Sequence, residues 1–303
     1  MALSALALGK ECGLTLAGFA GLETFESQYK HFTHLGSGDI AFSKLSGSGL
    51  FGWKAIMPNA KSIISVALAY KQTIAPSQEA NKAKISMSAY GIDYHKAVMA
   101  KASRLVEKLQ AELGTQVEHK IFVDTGPLSD KMAAYSAGLG FIGRNSLLVN
   151  EEYGSFIFLG TILVDAELEA NDRLIESKCP ECGLCVAACP TGALDSGFAY
   201  SKCISYQSQI GKLSRKAAGS GYIYGCDECQ LCCPYNIAAP EAGEPSFLIS
   251  LESAYADLNE LASITNSQFK AIYGNSAMSW RGAAPIRRNA IKMLDVRDNS
   301  ERK

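Results

Sequence analysis

The sequence predicts an α/β domain, then a small cysteine-dense domain, then a short helical tail, and three observations predict it. Apolar runs of strand length alternate with amphipathic helical stretches over residues 1–172. Nine of the ten cysteines then fall between residues 179 and 233. From about residue 241 the apolar spacing becomes helical. At 303 residues and 48% hydrophobic composition, the chain can bury a substantial core and divide into two or three units. The expected boundaries are residues 1–172, 173–240 and 241–303.

In chain order, residues 1–10 are mildly apolar without a basic start or a twin-arginine pair, so they read as a first helix and not as an export signal. Glycine and serine cluster at 35–39 and 46–49 as flexible punctuation. His31 and His34 sit three apart between these features. They have no cysteine or carboxylate at ligand spacing and are expected to be surface or structural. Residues 60–70 form the continuous apolar run of a buried strand. Residues 88–95 open a helix that runs through Leu105, Val106 and Leu109 to Gly114, and residues 117–123 make the next strand, which ends at Asp124. Thr125, Gly126 and Pro127 begin another helix, since proline suits the first helical position, and Gly138 or Gly140 ends it. Further strands are expected at 146–149 and 155–164, and tail helices at 247–252, 258–264 and 285–294.

The net charge of −1 provides no global basic field for a polyanionic partner, which leaves a local patch as the route to nucleic acid. No stretch approaches the ~20 apolar residues of a membrane span. A cytoplasmic location is therefore expected, where clustered cysteines bind metal more readily than they form disulfides.

The cysteine segment carries the strongest chemical signal. It opens with Cys179-Pro-Glu-Cys182-Gly-Leu-Cys185-Val-Ala-Ala-Cys189-Pro190, the C-x2-C-x2-C-x3-C-P run of bacterial ferredoxins. It closes with Cys226-Asp-Glu-Cys229-Gln-Leu-Cys232-Cys233-Pro234, with Cys203 between. Four thiolates close one cubane, so the set supplies two 4Fe–4S clusters. In two-cluster ferredoxins the fourth cysteine of each run ligates the other cluster. On that rule Cys179, Cys182, Cys185 and Cys233 hold one cluster, and Cys189, Cys203, Cys226 and Cys229 hold the second. Cys232 is spare. A rival register puts Cys232 in place of Cys233, but Cys233 is the one followed by proline. Two zinc knuckles are the bland alternative, and zinc sites take paired cysteines, not three-plus-one runs ending in Cys-Pro.

Asp124 is the second signal. It ends an apolar strand, where ligand sites of α/β sheets lie, and a carboxyl beside apolar residues has its pKa raised toward proton donation at neutral pH. Lys131, two helical turns on, offers a nearby cation; a solvated lysine is the plainer outcome. The stretch from Asp93 through His95 to Val98 resembles the D-x-H-x-x-G pattern of histidine-ligated cobalamin proteins. Val98 replaces the glycine that lets backbone approach a cofactor, so that match fails and His95 is a structural or pocket-lining residue. In the tail, Arg287, Arg288 and Lys292 form a small basic patch suited to phosphates, or equally a solvated helix face.

Together these residues resemble the epoxyqueuosine reductase family, the cobalamin and iron–sulfur enzymes of queuosine biosynthesis. The likeness runs through residues 60–65, 90–95, 123–128, 138–146, 154–155, 159–160, 203–206, 224–236 and 273–289, nearly the whole chain in order. The resemblance implies an α/β cobalamin-binding domain followed by a ferredoxin-like double 4Fe–4S domain. Cobalamin would bind base-off without a histidine ligand, Asp124 would be the proton donor, and Ser88, Val149 and Gly160 would line the cofactor with Ser205 and Tyr206. The family often has tyrosine where Ser88 stands. Many members add a helical-repeat domain that helps grip tRNA, and this sequence is expected to be a short form lacking it.

The reaction so implied reduces epoxyqueuosine to queuosine in the tRNA anticodon loop, by a monomer fed from an external low-potential donor and away from membranes. Two other readings compete. A corrinoid reductase of a small molecule, like a reductive dehalogenase, usually carries a twin-arginine signal, which is missing from this N-terminus. A ferredoxin acting only as an electron carrier would not need Asp124.

Overall fold

The structure is a computed structural model and describes residues 3–35, 53–77, 79, 81–170, 174–179 and 182–301. The Gly/Ser-rich punctuation and the side chains of His31 and His34 lie outside the described residues. The chain folds into two compact units. One comprises Met1–Ala69 and His95–Cys182, the other Tyr70–Tyr94 and Gly183–Lys303. In chain order the described strands are β1 (Leu16–Gly21), β2 (Ser62–Ala69), β3 (Lys82–Ile85), β4 (His119–Phe122), β5 (Phe141–Ile142), β6 (Leu148–Val149), β7 (Ile157–Val164), β8 (Tyr222–Tyr224) and β9 (Tyr255–Asp257).

The first unit is built on a four-stranded sheet of order β1-β2-β7-β4 in which every pairing is antiparallel. β2 is central and buried along its whole length, as its largely apolar run requires. Burying Ile63, Ile64, Val66 and Leu68 there contributes about 1.5–3 kcal/mol per side chain. β1 corrects the expectation that the first fifty residues are only helix and loop. Leu-Ala-Gly-Phe-Ala-Gly lacks β-branched residues and alternation, so pairing with β2 and not local preference makes it a strand.

The antiparallel register sorts residues onto two faces. Gly160 lies opposite Val66, which lies opposite Ala17. On this face the helix Tyr94–Leu113 brings Val98 so close that a Cβ at Gly160 would stand 3.0 Å from it. That helix buries Ala97, Val98, Ala102, Leu105, Val106 and Leu109, the stripe expected of an amphipathic helix. The other face carries Gly18, Ser65 and Thr161 in one row. Here the helix Asp130–Ser136 and its C-cap approach, and a Cβ on Gly18 would meet the Ala137 carbonyl at 2.5 Å.

That helix starts later than Pro127 suggests. Ser129 is its N-cap, with Oγ accepting the Met132 N–H at 3.4 Å. The Thr125 N–H instead bonds back to the Val123 carbonyl at 2.6 Å, which turns the preceding residues into a tight loop.

In the second unit, β3 pairs in parallel with β8 and antiparallel with β9. The tail helix Ala283–Glu301 buries Ala283, Ile286, Ala290 and Met293 at helical spacing. On the same helix, buried Asn289 donates to the carbonyls of Ser208 at 2.7 Å and Ile223 at 3.1 Å. The cysteine segment and the tail thus share one core. Among the described residues no helix is long and apolar enough to cross a membrane.

Candidate functional site

Asp124 follows β4 in the left-handed region, at φ 58°. Its Oδ2 lies 3.6 Å from His95 Nε2, so the start of the helix Tyr94–Leu113 places an imidazole beside the carboxyl. The side chain is 63% exposed. The expectation of apolar surroundings is therefore not met, because the turn carries Asp124 past the end of the sheet. The carboxyl that burial does lift is six residues on. Asp130 is pushed up to about 7, opposed by the Thr161 hydroxyl and the Asp124 N–H. Its Oδ2 accepts that N–H at 2.7 Å, and its Oδ1 accepts the Thr161 hydroxyl. Neither Asp130 nor Thr161 stood out in the sequence. An aspartate just after a helix cap is ordinary, and only the sheet register brings Thr161 to it.

Lys131 is not a solvated lysine. Burial lowers its ammonium pKa, the charge of Asp124 opposes the fall, and Nζ donates to the Ser146 carbonyl at 2.8 Å. A partly desolvated cation and a carboxylate therefore act on each other within this unit.

None of the ten cysteines, all among the described residues, is in a disulfide. In the second unit Cys203 lies within electrostatic reach of Cys189 and Cys226, and Cys229 within reach of Cys226, Cys203 and Cys185. Burial pushes the Cys203 thiol up, opposed by the backbone N–H groups of Tyr206 and Ser205, with Cys189 adding to the rise. Cys226 is pushed up to about 12 by burial, with Asp227 and Cys203 adding. Burial also raises Cys229, and Cys226, Cys203 and Cys185 raise it further. Buried thiols that repel one another as thiolates are a donor set that a cationic iron cluster stabilises. The Ala193 N–H reaches Cys189 Sγ at 3.3 Å, the kind of hydrogen bond that tunes cluster potential.

Cys-Pro has a structural use too: Cys233 caps the helix Pro234–Ala238, with Pro234 at its first position. Cys232 Sγ donates to the Cys229 carbonyl at 3.6 Å. Cys179 and Cys182 belong to the first unit, where the Arg144 N–H reaches Cys179 Sγ at 3.4 Å.

The expected cofactor contacts divide between the units. In the first, Val149 is buried in β6, and Gly160 is the buried mid-strand residue against Val98. In the second, Ser205 and Tyr206 follow Cys203 at the start of the helix Ile204–Ile210, with the Tyr206 ring edge-on to Tyr200 at 5.0 Å. Ser88 Oγ lies 2.9 Å from Ser86 Oγ, and Ser86 donates to Asp227 at 2.7 Å. Asp227 also accepts the Met87 N–H at 2.9 Å, and burial pushes it up to about 6. This buried carboxyl, unforeseen in the sequence, ties the Ser88 segment to the second cysteine run.

His95 is turned to Asp124, and Val98 packs against Gly160 of β7 where the histidine-ligated corrinoid pattern has glycine, so the match to that pattern fails at Val98.

The basic tail is largely used internally. Arg287 donates to the Ile264 carbonyl at 2.9 Å and to Asn266 Oδ1 at 3.0 Å, and Lys292 Nζ lies 3.5 Å from Asp295.

Comparison with known proteins adds three findings. A family model described as epoxyqueuosine reductase QueG, DUF1730, matches residues 52–125, and one described as a 4Fe-4S double cluster binding domain matches residues 178–236. The epoxyqueuosine reductase of Lactococcus garvieae (strain Lg2) is 36% identical over 253 residues, 80% of this chain and 70% of that protein. That of Leadbetterella byssophila is 36% identical over 252 residues, 80% of each chain. The chain spans 64% of the Bacillus subtilis epoxyqueuosine reductase, at 35% identity.

Among solved structures, an epoxyqueuosine reductase with an epoxyqueuosine-modified tRNA-Tyr stem loop superposes with TM-score 0.85 and 32% identity over 98% of this chain and 81% of that one. A Bacillus subtilis epoxyqueuosine reductase, with its aspartate catalytic loop swung out of the active site, gives 0.86 and 31% over 98% and 82%.

Proposed function

This chain belongs to the epoxyqueuosine reductase family of oxidoreductases, and from that premise we propose that it removes the epoxide oxygen of epoxyqueuosine in the tRNA anticodon loop and delivers queuosine. The observation that carries the proposal is the Asp124 carboxyl, presented to solvent on a fixed turn beside His95 in a chain that also carries a double 4Fe–4S segment.

The reaction balance states what the protein must supply. Both C–O bonds of the epoxide break, one C=C bond forms, and the oxygen leaves as water. That takes two electrons and two protons. Two 4Fe–4S clusters, which Cys179, Cys182, Cys185 and Cys233 and Cys189, Cys203, Cys226 and Cys229 would hold, would supply electrons one at a time at low potential, about −400 mV in plant-type ferredoxins. When bound, cobalamin supplies a reduced cobalt centre able to act on the epoxide carbon, and Ser88, Val149, Gly160, Ser205 and Tyr206 would hold it. Asp124 protonates the leaving oxygen, and its exposure lets solvent return the proton. His95, 3.6 Å away, steadies the carboxyl as it gains and loses charge. The modified base has to be splayed from the loop to reach this acid. The protein works as a cytoplasmic monomer with an external low-potential electron donor.

The test is nucleoside analysis of tRNA from a strain lacking the gene. Epoxyqueuosine accumulates and queuosine disappears, and a copy with Asp124→Asn fails to restore it while keeping its cluster absorbance. Queuosine persisting in the deletion strain would defeat the proposal.

A further inference from the structure

Asp130 has no part in the mechanism above, yet its carboxyl joins the catalytic turn to the sheet. Asp124 sits at φ 58°, and the Thr125 N–H returns to the Val123 carbonyl at 2.6 Å. A three-residue turn closed across a residue of positive φ is the strained kind of γ-turn. Such strain persists where the surroundings hold it in place. Here the holding group is visible. Asp130 Oδ2 accepts the Asp124 N–H at 2.7 Å, and Oδ1 accepts the hydroxyl of Thr161.

Thr161 is fully buried in mid-β7, opposite Ser65 of β2 and Phe122 of β4. Two hydrogen bonds through one carboxyl therefore join the sheet to the turn.

We propose that Asp130 is a positioning residue for Asp124: its carboxyl clamps the strained turn to β7 and thereby sets where the Asp124 carboxyl stands. The proposal rests on the reading of Asp124 as the proton donor.

Several groups face the clamp. Thr161 and the Asp124 N–H favour its ionised form, the Asp124 charge opposes ionisation, and His95 on the helix Tyr94–Leu113 favours it, while burial lifts the group to about 7. A carboxylate accepts an N–H more strongly than a carboxylic acid does, so the clamp tightens as pH rises through neutrality.

The experiment compares the holoprotein with Asp130→Ala and Asp130→Asn variants of matching cluster absorbance. Amide hydrogen exchange is followed across residues 119–130, alongside turnover of an epoxyqueuosine stem loop. The alanine variant exchanges about tenfold faster at the turn. It loses kcat about 10–100-fold, with KM nearly unchanged, as expected for a misplaced acid. The asparagine variant keeps an oxygen acceptor for the Asp124 N–H, so it recovers most of the protection and turnover. Its own protection no longer varies around neutral pH, so relative to wild type it falls as pH rises through about 7.

Unchanged exchange in the alanine variant overturns the clamp. Faster exchange with undiminished kcat overturns positioning, and an inactive Asp124→Asn in the same assay shows that the acid itself stands. An asparagine variant as damaged as alanine in both readouts also overturns the proposal.

Discussion

Replacing Asp130 with asparagine should make the protein's stability less dependent on pH, and in a definite direction. The folded state raises this carboxyl from 3.8 to about 7, chiefly by burial. A raised folded pKa means that the native state prefers the protonated acid. The stability contribution of Asp130 is therefore complete below the unfolded value of 3.8 and is lost as pH climbs through about 7. Each unit between those values costs the wild type about 1.4 kcal/mol. From about pH 5.5 to the folded pKa, roughly 1.5 units remain, or ~2 kcal/mol.

Asparagine does not titrate and escapes this loss. In a folding unit of this size ~2 kcal/mol moves Tm by about 4–8 °C. The measurement is anaerobic thermal unfolding of both proteins at about pH 5.5 and pH 8, at one scan rate because cluster proteins unfold irreversibly. The Tm of Asp130→Asn relative to wild type should rise by that amount across the range. A difference that stays flat, or falls, would refute the burial of this carboxyl as described.

Three other outcomes follow from single contacts. Gly91 stands at φ +62°, and a Cβ there would lie 2.0 Å from the Ser246 carbonyl oxygen and 2.7 Å from Phe247 Cα. Gly91→Ala should cost about 3 kcal/mol or more, and an unchanged Tm would exclude that close approach. Cys203→Ser should reduce iron per chain by about half, as expected for losing one of two cubanes, while Cys232→Ser should leave it near wild type; equal iron loss in both would return the rival ligand register. Asn289→Ala withdraws the donor shared by the Ser208 and Ile223 carbonyls. It should cost about 2–4 kcal/mol by denaturant unfolding, and a change under about 1 kcal/mol would show those carbonyls finding other partners.

What the sequence disclosed and what it withheld divide along the range of the interactions involved. The double-cluster segment was legible because cluster ligation imposes its cysteine spacing locally, and the proline after Cys233 also opens the next helix. The central strands β2 and β7 were legible because burial on both faces leaves mostly apolar choices. β1 was not, since its Leu-Ala-Gly-Phe-Ala-Gly run becomes a strand through its partner. Nor could a linear reading show residues 70–94 joining the cysteine unit, because β3 finds its neighbours more than a hundred residues on, in β8 and β9.

The same limit applies at the candidate acid. Asp124 was visible because a carboxylate at a strand end is a local feature. The residues that hold it came from an alignment of strands. Phe122, two residues before Asp124, pairs with Thr161, and that one register choice sets a hydroxyl under the turn and within reach of Asp130. Slipping β7 by one residue would turn Thr161 to the opposite face and put Gly160 or Ile162 in its place, neither of which can donate to a carboxylate. The position of the acid therefore depends on sheet registry as much as on Asp124 itself. Substitutions in β7 that loosen pairing with β4 should accordingly impair turnover without touching the turn.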